Sequence, residues 1–254
     1  SGGLWRGVLR ASNAPGWPQH ERRKFLLDGV DGGRALAKFA GFGPFGRATL
    51  TRARRLAEAG FGPPVAAEAE AYIASGWLVY RCLDAAPLPA RPDANWCEFA
   101  GRYLGFVAAE FRLAEDTPPS LELQEMLAVN SGRLWGQPPD LPLPTGPLIA
   151  LDARMQPIEW GVTASGYVKF DGTDHHDDPF FPGPADIAWD LAAVESAFGR
   201  AAGDGVRAAY CRHSGETDSV LAPRLAWHRR ACRAFQAAWR TSFTAQAEAS
   251  AGGG

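Results

Sequence analysis

The chain has few lysines, a net charge near zero and no long apolar run. The low net charge and the lack of an apolar run each exclude a class of function. Lysine occurs only at positions 24, 38 and 169 of the 254 residues, and the net charge is −2. Because basic residues form no cluster, we expect neither a nucleic-acid nor an anionic-membrane partner. No stretch approaches the roughly 20 apolar residues that a membrane helix needs. With so few lysines, each one is a candidate for a specific role.

The cysteines are also few and scattered, at positions 82, 97, 211 and 232, and no two form a CxxC pair. This spacing argues against a zinc site, and a disulfide framework is unnecessary for a chain of this size. The opening SGGLWRG has no charged segment ahead of an apolar one, so we expect no signal peptide. We therefore expect a reduced, cytoplasmic protein, in which 46% hydrophobic residues supply a sizeable core.

The first 84 residues have the pattern of strands interrupted by one helix. The runs GVLRAS, RRKFLL and RALAKFAG are separated by turn-rich segments, which predicts three strands. Leu50, Ala53 and Ala57 then recur at helical spacing up to Gly60, where the predicted helix ends. VAAEAEAYI and GWLVYRCL predict two more strands. The expected order is three strands, a helix and two strands.

The pattern changes at PLPARPD, which we interpret as a boundary near residues 84–90. WCEFAGRYLGFVAAEF and LELQEMLAVNSGRLWG each place apolar residues on one helical face, and a long final helix is predicted from Leu221 to Phe243. Between them, EWGVTASGYVKFD predicts an isolated hairpin around a Ser165–Gly166 turn.

Four segments contain residues that could bind phosphate or metal. The apolar strand ALAKFAG contains Lys38, and LDARMQPIEW contains Asp152 in an irregular segment before the hairpin. GYVKFD ends at Asp171, which Gly172 follows, and GPADIAWDLA contains Asp190 at the start of a helix.

These segments, in this order of elements, resemble the protein-kinase-like superfamily, and most of all its aminoglycoside phosphotransferase and choline kinase branch. The likeness covers nearly the whole chain in element order, although no single motif is a clean match. It implies an α+β, bilobal fold: a five-stranded nucleotide-binding N-lobe with one helix (residues 1–84), and a mostly helical C-lobe with a small hairpin and the catalytic and metal-binding segments (residues 85–254). It also implies ATP and Mg²⁺ as cofactors, and transfer of the γ-phosphoryl group to a hydroxyl of a small-molecule acceptor.

The resemblance implies which residues bind the nucleotide. Lys38 would hold the α- and β-phosphates from a rigid strand. Gly16 would lie in the loop that covers the phosphates, and Arg81, Cys82 and Leu83 would contact adenine through their backbone. Kinases pair the strand lysine with a helix glutamate. Glu58 lies too near the end of its helix for that role and is interpreted as a solvated residue, and Glu68 or Glu70, on the next predicted strand, could take its place.

The resemblance also implies the catalytic and metal-binding residues. Asp152 would orient or deprotonate the acceptor hydroxyl, and Arg154 would face the transferred phosphoryl group. Asp171 would be the principal Mg²⁺ ligand, and Gln156 or Glu159 would take the place of the family's metal-binding Asn. The family's His is missing directly before Asp152 and no Asn follows it, so an ordinary turn residue is the alternative for Asp152.

The remaining polar residues receive structural interpretations. Asp190 would hold the catalytic loop by hydrogen bonds, and Asp186 would cap a helix. The segment 175–178, HHDD, is interpreted as a polar, substrate-facing loop, because adjacent residues of an extended segment point to opposite sides and rarely share one metal. Several acids and aromatic residues of the helical half are interpreted as solvated faces and core, respectively: Glu98, Glu110, Glu122, Glu125, Trp227, His228 and Trp239.

Two other functions stay open at this stage. The incomplete catalytic loop favours a nucleotide-binding pseudokinase or interaction module that lacks turnover. An enzyme that transfers AMP on the same fold is the other alternative.

Overall fold

The structure is a computed structural model that describes residues 22–29, 33–136, 146–178 and 181–251. The described residues form seven α-helices and eight strands, in two compact units. The first unit takes its described residues from Ser1–Pro89 and Pro157–Asp174, and the second takes them from Ala90–Gln156 and His175–Gly254. The predicted strand GVLRAS and the candidate residue Gly16 lie outside the described residues.

The first unit contains an antiparallel sheet of three strands, in the order β1 (Lys24–Asp28), β2 (Arg34–Phe39) and β3 (Trp77–Arg81). Because side chains alternate along a strand, each strand presents every second residue to the same face. One face carries Trp77, whose ring lies 5.4 Å from that of Phe25 and 5.6 Å from that of Phe39. The other face is covered by helices.

Helix α1 (Gly43–Glu58) and the short helix α2 (Ala69–Ala74) cover the second face. The apolar cluster there joins both helices to β3 and consists of Ala40, Leu50, Ala53, Ala69, Ile73, Leu78 and Tyr80. The prediction of a strand at VAAEAEAYI is wrong, because α2 occupies most of that run. Its alternation of apolar and charged residues suggests a strand, yet Ala and Glu favour helix, and a helix brings Ala69 and Ile73 to one buried face.

The hairpin expected near residues 159–171 is present, as β5 (Trp160–Thr163) and β6 (Gly166–Lys169). Two details of the prediction are wrong. Thr163 pairs with Gly166, so the turn consists of residues 164 and 165, and β4 (Ala86–Pro87) adds a third strand beside β5. The described residues therefore give two three-stranded sheets in the first unit and no five-stranded one.

The second unit is mainly helical: α3 (Ala94–Glu110), α4 (Leu121–Trp135), α5 (Ala188–Phe198), α6 (Arg200–Ser214) and α7 (Asp218–Ala251), with a small ladder of β7 (Asp177–Asp178) and β8 (Phe181–Pro182). Asp93 and Ser120 cap α3 and α4 by accepting the backbone N–H groups of Trp96 and Leu123. Within the described part of the chain, no helix is both long and apolar enough to cross a membrane.

Helices α3 and α6 pack closely because a glycine lies between them. A Cβ atom at Gly101 would come within 2.3 Å of the Cβ of Ala209 and 2.7 Å of the backbone nitrogen of Tyr210. Trp96 and Tyr103, which lie seven residues apart on another face of α3, are also completely buried. The Tyr103 side chain therefore lies in the interior of the second unit.

Candidate functional site

Lys38 lies on the central strand β2, and its ammonium group contacts two carboxylates from the segment after β6. Only 4% of the side chain is exposed. Nζ donates to Asp171, and it donates to Oδ1 of Asp174 at 2.7 Å. Burial alone would lower the pKa of Lys38, but the charges of Asp171 and Asp174 outweigh it and raise the pKa above the usual lysine value. Lys38 is therefore a fully charged, buried cation.

Two more cations approach the same carboxylates from β1 and the residues before it. Nζ of Lys24 lies 3.2 Å from Oδ2 of Asp171, and Nε of Arg22 lies 2.9 Å from Oδ2 of Asp174. We call the five side chains Arg22, Lys24, Lys38, Asp171 and Asp174 the lysine–aspartate cluster. It gathers three positive and two negative charges in the first unit.

The backbone on both sides of Asp171 is held by the rest of the first unit. The N–H of Lys169 donates to the carbonyl of Phe61 at 2.8 Å, and the buried Arg52 of α1 donates through Nε to the carbonyl of Gly172 at 2.9 Å. Asp171 itself has a φ of 54°, a left-handed conformation that aspartate tolerates better than most residues. This fixed turn at the end of β6 directs the Asp171 carboxylate to Lys38.

Asp171 and Asp174 also form a donor set that suits Mg²⁺. Both supply carboxylate oxygens, which hard divalent cations prefer. Their shared contact with Lys38 keeps the two carboxylates close together. Asp174 was not singled out as a ligand from the sequence.

Of the other two metal-ligand candidates, Glu159 contacts a buried lysine. Oε2 of Glu159 is 3.9 Å from Nζ of the buried Lys169, which also donates to the carbonyl of Phe170 at 2.7 Å and lies over the ring of Trp160. Gln156 is exposed and belongs to the second unit. The carboxylate of Glu159 thus balances the charge of a buried lysine.

In the second unit, Asp152 is completely buried and contacts two side chains that come from distant segments. The Tyr103 hydroxyl donates to Oδ2 of Asp152 at 2.6 Å, and Nδ1 of His175 lies 3.4 Å from Oδ1. The segment directly before Asp152 contains no histidine. The fold instead supplies one from 23 residues further along the chain. These two contacts determine which way the carboxylate faces.

Asp190 holds the backbone of the same loop. Its Oδ2 accepts the N–H of Asp152 at 3.2 Å, and its Oδ1 accepts the N–H of Ala153 at 3.0 Å. Ala153 has a φ of 63°, which is unfavourable for a residue with a Cβ atom. Asp190 is fully buried, and by accepting these two N–H groups it stabilises this strained turn.

The remaining candidates of the first unit lie at the end of β3 and on α1. The N–H groups of Arg81 and Cys82 donate to the carbonyls of Pro64 and Arg34, both at 2.9 Å. Leu83 is 36% exposed. Glu58 is exposed and lies 3.6 Å from Arg55, in keeping with a solvated helix residue.

The segment 175–178, interpreted as a polar, substrate-facing loop, begins with a buried side chain, because His175 is 9% exposed. Asp174, directly before this segment, is 7% exposed. Asp186 does accept the N–H of Ala188 at 2.9 Å, at the start of α5, and it also lies 3.2 Å from the buried Arg224. Arg154 is partly buried in the second unit, two residues after Asp152.

Sequence reasoning did not identify five side chains of these two clusters as site residues: Arg22, Lys24, Asp174, Tyr103 and His175. The scarcity of lysine could have identified Lys24, since it is one of only three. Tyr103 and His175 approach Asp152 through tertiary packing, for which a single sequence gives no pattern.

Comparison with known proteins identifies the fold. No protein-family model matches the sequence, and no curated protein matches it. Among solved structures, a choline/ethanolamine kinase family protein from Mesorhizobium loti superposes with a TM-score of 0.54 and 18% identity, over 96% of this chain and 86% of that one. A macrolide 2'-phosphotransferase type I gives a TM-score of 0.53 and 12% identity, over 91% and 86% of the two chains.

A third structure, the macrolide 2'-phosphotransferase of Brachybacterium faecium in its apoenzyme form, gives a TM-score of 0.51 and 13% identity, over 96% of each chain. At such identities the likeness concerns the fold. This chain therefore has the fold of the choline/ethanolamine kinase family protein and of the two macrolide phosphotransferases, in keeping with the protein-kinase-like fold that its sequence resemblance implied.

Proposed function

We propose that this chain is a small-molecule kinase, which transfers the γ-phosphoryl group of ATP to a hydroxyl group with the help of Mg²⁺. One observation carries the proposal: the buried Lys38 is bound to two carboxylates at the end of β6. A structural lysine needs one such partner, whereas a polyphosphate–metal site needs a fixed cation beside carboxylate ligands. The fold supports the proposal, because solved structures that share it are described as a choline/ethanolamine kinase family protein and macrolide phosphotransferases.

In the proposed site, Lys38 binds phosphate oxygens, and Asp171 and Asp174 hold the metal. Mg²⁺, when bound, supplies the positive charge that neutralises the polyphosphate. Lys38 is suited to its role because β2 fixes its position and its neighbours keep it charged. The left-handed turn at Asp171 keeps its carboxylate in a fixed position, so that little reorganisation is needed when the nucleotide binds.

Asp152 is proposed to orient the acceptor hydroxyl. Tyr103 and His175 fix its carboxylate, and Asp190 fixes its backbone. Because Asp152 is fully buried, the acceptor has to displace one of these partners to reach it. A carboxylate that loses a partner is a stronger hydrogen-bond acceptor for the incoming hydroxyl, which suits a general base.

The burial of Asp152 also favours the second candidate function, a nucleotide-binding module that does not turn over. In that case Tyr103 and His175 would satisfy Asp152 permanently, and the lysine–aspartate cluster would still bind MgATP. Both functions predict binding of MgATP, but only the kinase forms a phosphorylated product.

Calorimetry with MgATP, with ATP and EDTA, and with MgADP tests nucleotide binding, and it should show binding that requires Mg²⁺. Lys38→Met, which preserves side-chain length, should weaken MgATP binding by about tenfold or more, because a charge-assisted contact with phosphate is lost. The control is Arg47→Met on the exposed side of α1. Equal affinity of the parent and Lys38→Met would show that Lys38 is not the phosphate lysine.

Turnover is tested by mass analysis of products over a panel of hydroxyl acceptors that includes choline, macrolides and aminoglycosides. A mass gain of one phosphoryl group supports the kinase. A gain of one AMP group would instead establish an AMP transferase. MgATP binding without a product from any acceptor would favour the non-catalytic module.

A further inference from the structure

We propose that Lys24 is a second phosphate-binding lysine, which contacts the polyphosphate of the nucleotide beside Lys38. This inference rests on the proposed function and assigns a ligand-binding role to an edge-strand residue. It follows from strand register, from the sharing of Asp171 and from the charge of the lysine–aspartate cluster.

Strand register places the two lysines side by side. Lys24 of β1 pairs with Lys38 of β2 in an antiparallel ladder, so both side chains emerge on the same face. Directly opposed residues have Cβ atoms about 5 Å apart, and two like charges in that position repel each other. An anion bound between the two lysines removes this repulsion.

Asp171 supplies that anion in the structure. One carboxylate oxygen accepts a hydrogen bond from Lys38, and the other lies 3.2 Å from Nζ of Lys24. The two lysines therefore bind one carboxylate from two sides. An oxygen of a phosphate group presents the same kind of acceptor to the same pair of donors.

The cluster has more positive than negative charge. Arg22 lies two residues before Lys24, on the same face of the chain, and contacts Asp174. With Arg22, Lys24 and Lys38 against Asp171 and Asp174, the sum is one positive charge. When both carboxylates serve as metal ligands, the three cations remain to pair with phosphate oxygens.

Exposure distinguishes the two lysines. The side chain of Lys24 is 35% exposed, whereas that of Lys38 is 4% exposed. Lys24 consequently contributes little to the core, and solvent screens its charge more strongly than that of Lys38. A lysine on an edge strand can also serve only to prevent edge-to-edge association. That reading predicts no effect of Lys24 on ligand binding, so the two interpretations can be separated.

The experiment compares Lys24→Gln with Arg23→Gln. Arg23 is the neighbouring residue, and its side chain alternates to the opposite face of the chain. Affinities for MgATP, MgADP, adenosine and inorganic tripolyphosphate are measured by calorimetry at low and high salt. Lys24→Gln should weaken MgATP and tripolyphosphate binding by about three- to thirtyfold, leave adenosine unchanged and reduce the salt dependence. Lys24→Arg should restore most of the affinity.

Two outcomes would overturn the inference, and each is distinct from failure of the proposed function. If Lys24→Gln binds MgATP as tightly as the parent while Lys38→Met binds weakly, the proposed function stands and Lys24 has no role in it. If the parent does not bind MgATP, the proposed function fails, and tripolyphosphate decides the inference. Tripolyphosphate binding that Lys24→Gln weakens supports the role of Lys24, and absent or unchanged binding overturns it.

Discussion

The hydroxyl of Tyr103 donates a 2.6 Å hydrogen bond to Oδ2 of Asp152, across 49 positions of the sequence. Both side chains are fully buried. Burying a carboxylate costs free energy, and a hydrogen-bond donor offsets that cost. This bond therefore contributes to the stability of the second unit as well as to the orientation of Asp152.

Tyr103→Phe should destabilise the protein by about 1–3 kcal/mol, because it leaves one oxygen of Asp152 without this donor. It should also change the turnover number, since the acceptor hydroxyl would meet a differently oriented carboxylate. Urea denaturation and steady-state kinetics measure the two effects. Tyr210→Phe is the control, because the Tyr210 hydroxyl lies in the same unit and donates to Glu216, at 2.9 Å, instead of to Asp152. Equal kinetic effects of the two variants would contradict a role for Tyr103 in positioning.

Asp171→Asn should abolish the Mg²⁺-dependent binding of ATP, because the amide side chain lacks the charge that holds a hard dication. Asp174→Asn should weaken the same binding less completely, since Asp171 would remain. Titration with Mg²⁺ at fixed ATP, followed by calorimetry, measures both. Asp28→Asn is the matched control, because Asp28 belongs to β1 and is 82% exposed. Binding by Asp171→Asn at the parent's Mg²⁺ concentration would exclude Asp171 as a ligand.

Acid should destabilise the protein through His228. Burial, assisted by the charge of Arg224, lowers the pKa of His228 to about 3. The unfolded chain binds this proton near pH 6.5 and the folded protein does not, so stability is complete above pH 6.5 and falls as the pH decreases towards 3. Between pH 6.5 and pH 5 the loss from this group should reach about 2 kcal/mol.

His228→Leu should remove that part of the acid sensitivity. Urea midpoints of the parent and the variant at pH 7 and pH 5 measure the difference. His213→Gln is the control, because the His213 side chain is 35% exposed and pairs with Glu98. If the parent and His228→Leu lose equal stability over this interval, His228 is protonated in the folded protein.

Two helical glycines should respond oppositely to replacement by alanine. Gly101→Ala should destabilise the protein by about 1–3 kcal/mol, because the new Cβ would meet the backbone of α6 and force α3 and α6 apart. Gly132→Ala in α4 should stabilise it by up to about 1 kcal/mol, since a Cβ there meets nothing within 4 Å and alanine favours helix. Thermal and urea denaturation measure both. Equal effects would show that α3 and α6 are packed less closely than the structure indicates.

The long helices and the hairpin could be predicted from the sequence, because their apolar residues recur with a clear period. Helices α3 and α4 begin and end within two residues of the predicted runs. Helix α2 could not, since a six-residue element is too short for its period to be distinguished from that of a strand. There, local propensity and contacts with α1 decide the conformation.

Some residues of the candidate site could likewise be predicted from the sequence, and others could not. Lys38 lies in a recognisable strand and Asp171 follows another, so both could be identified from the sequence. The structure brings the two side chains into contact. Their roles in binding remain predictions. Asp174, Tyr103 and His175 depend on pairings between residues far apart in the chain, for which no spacing rule exists.

The two hydrogen bonds that Asp190 accepts should slow the hydrogen exchange of the donating amides. Each donates to a carboxylate with no exposed surface, at the centre of the second unit. The amides of Asp152 and Ala153 should therefore exchange with deuterium only when the whole unit opens, at the rates of its slowest helical amides, although they belong to an irregular loop. Deuterium uptake resolved to single residues would show this loop as one of the last parts of the unit to be labelled.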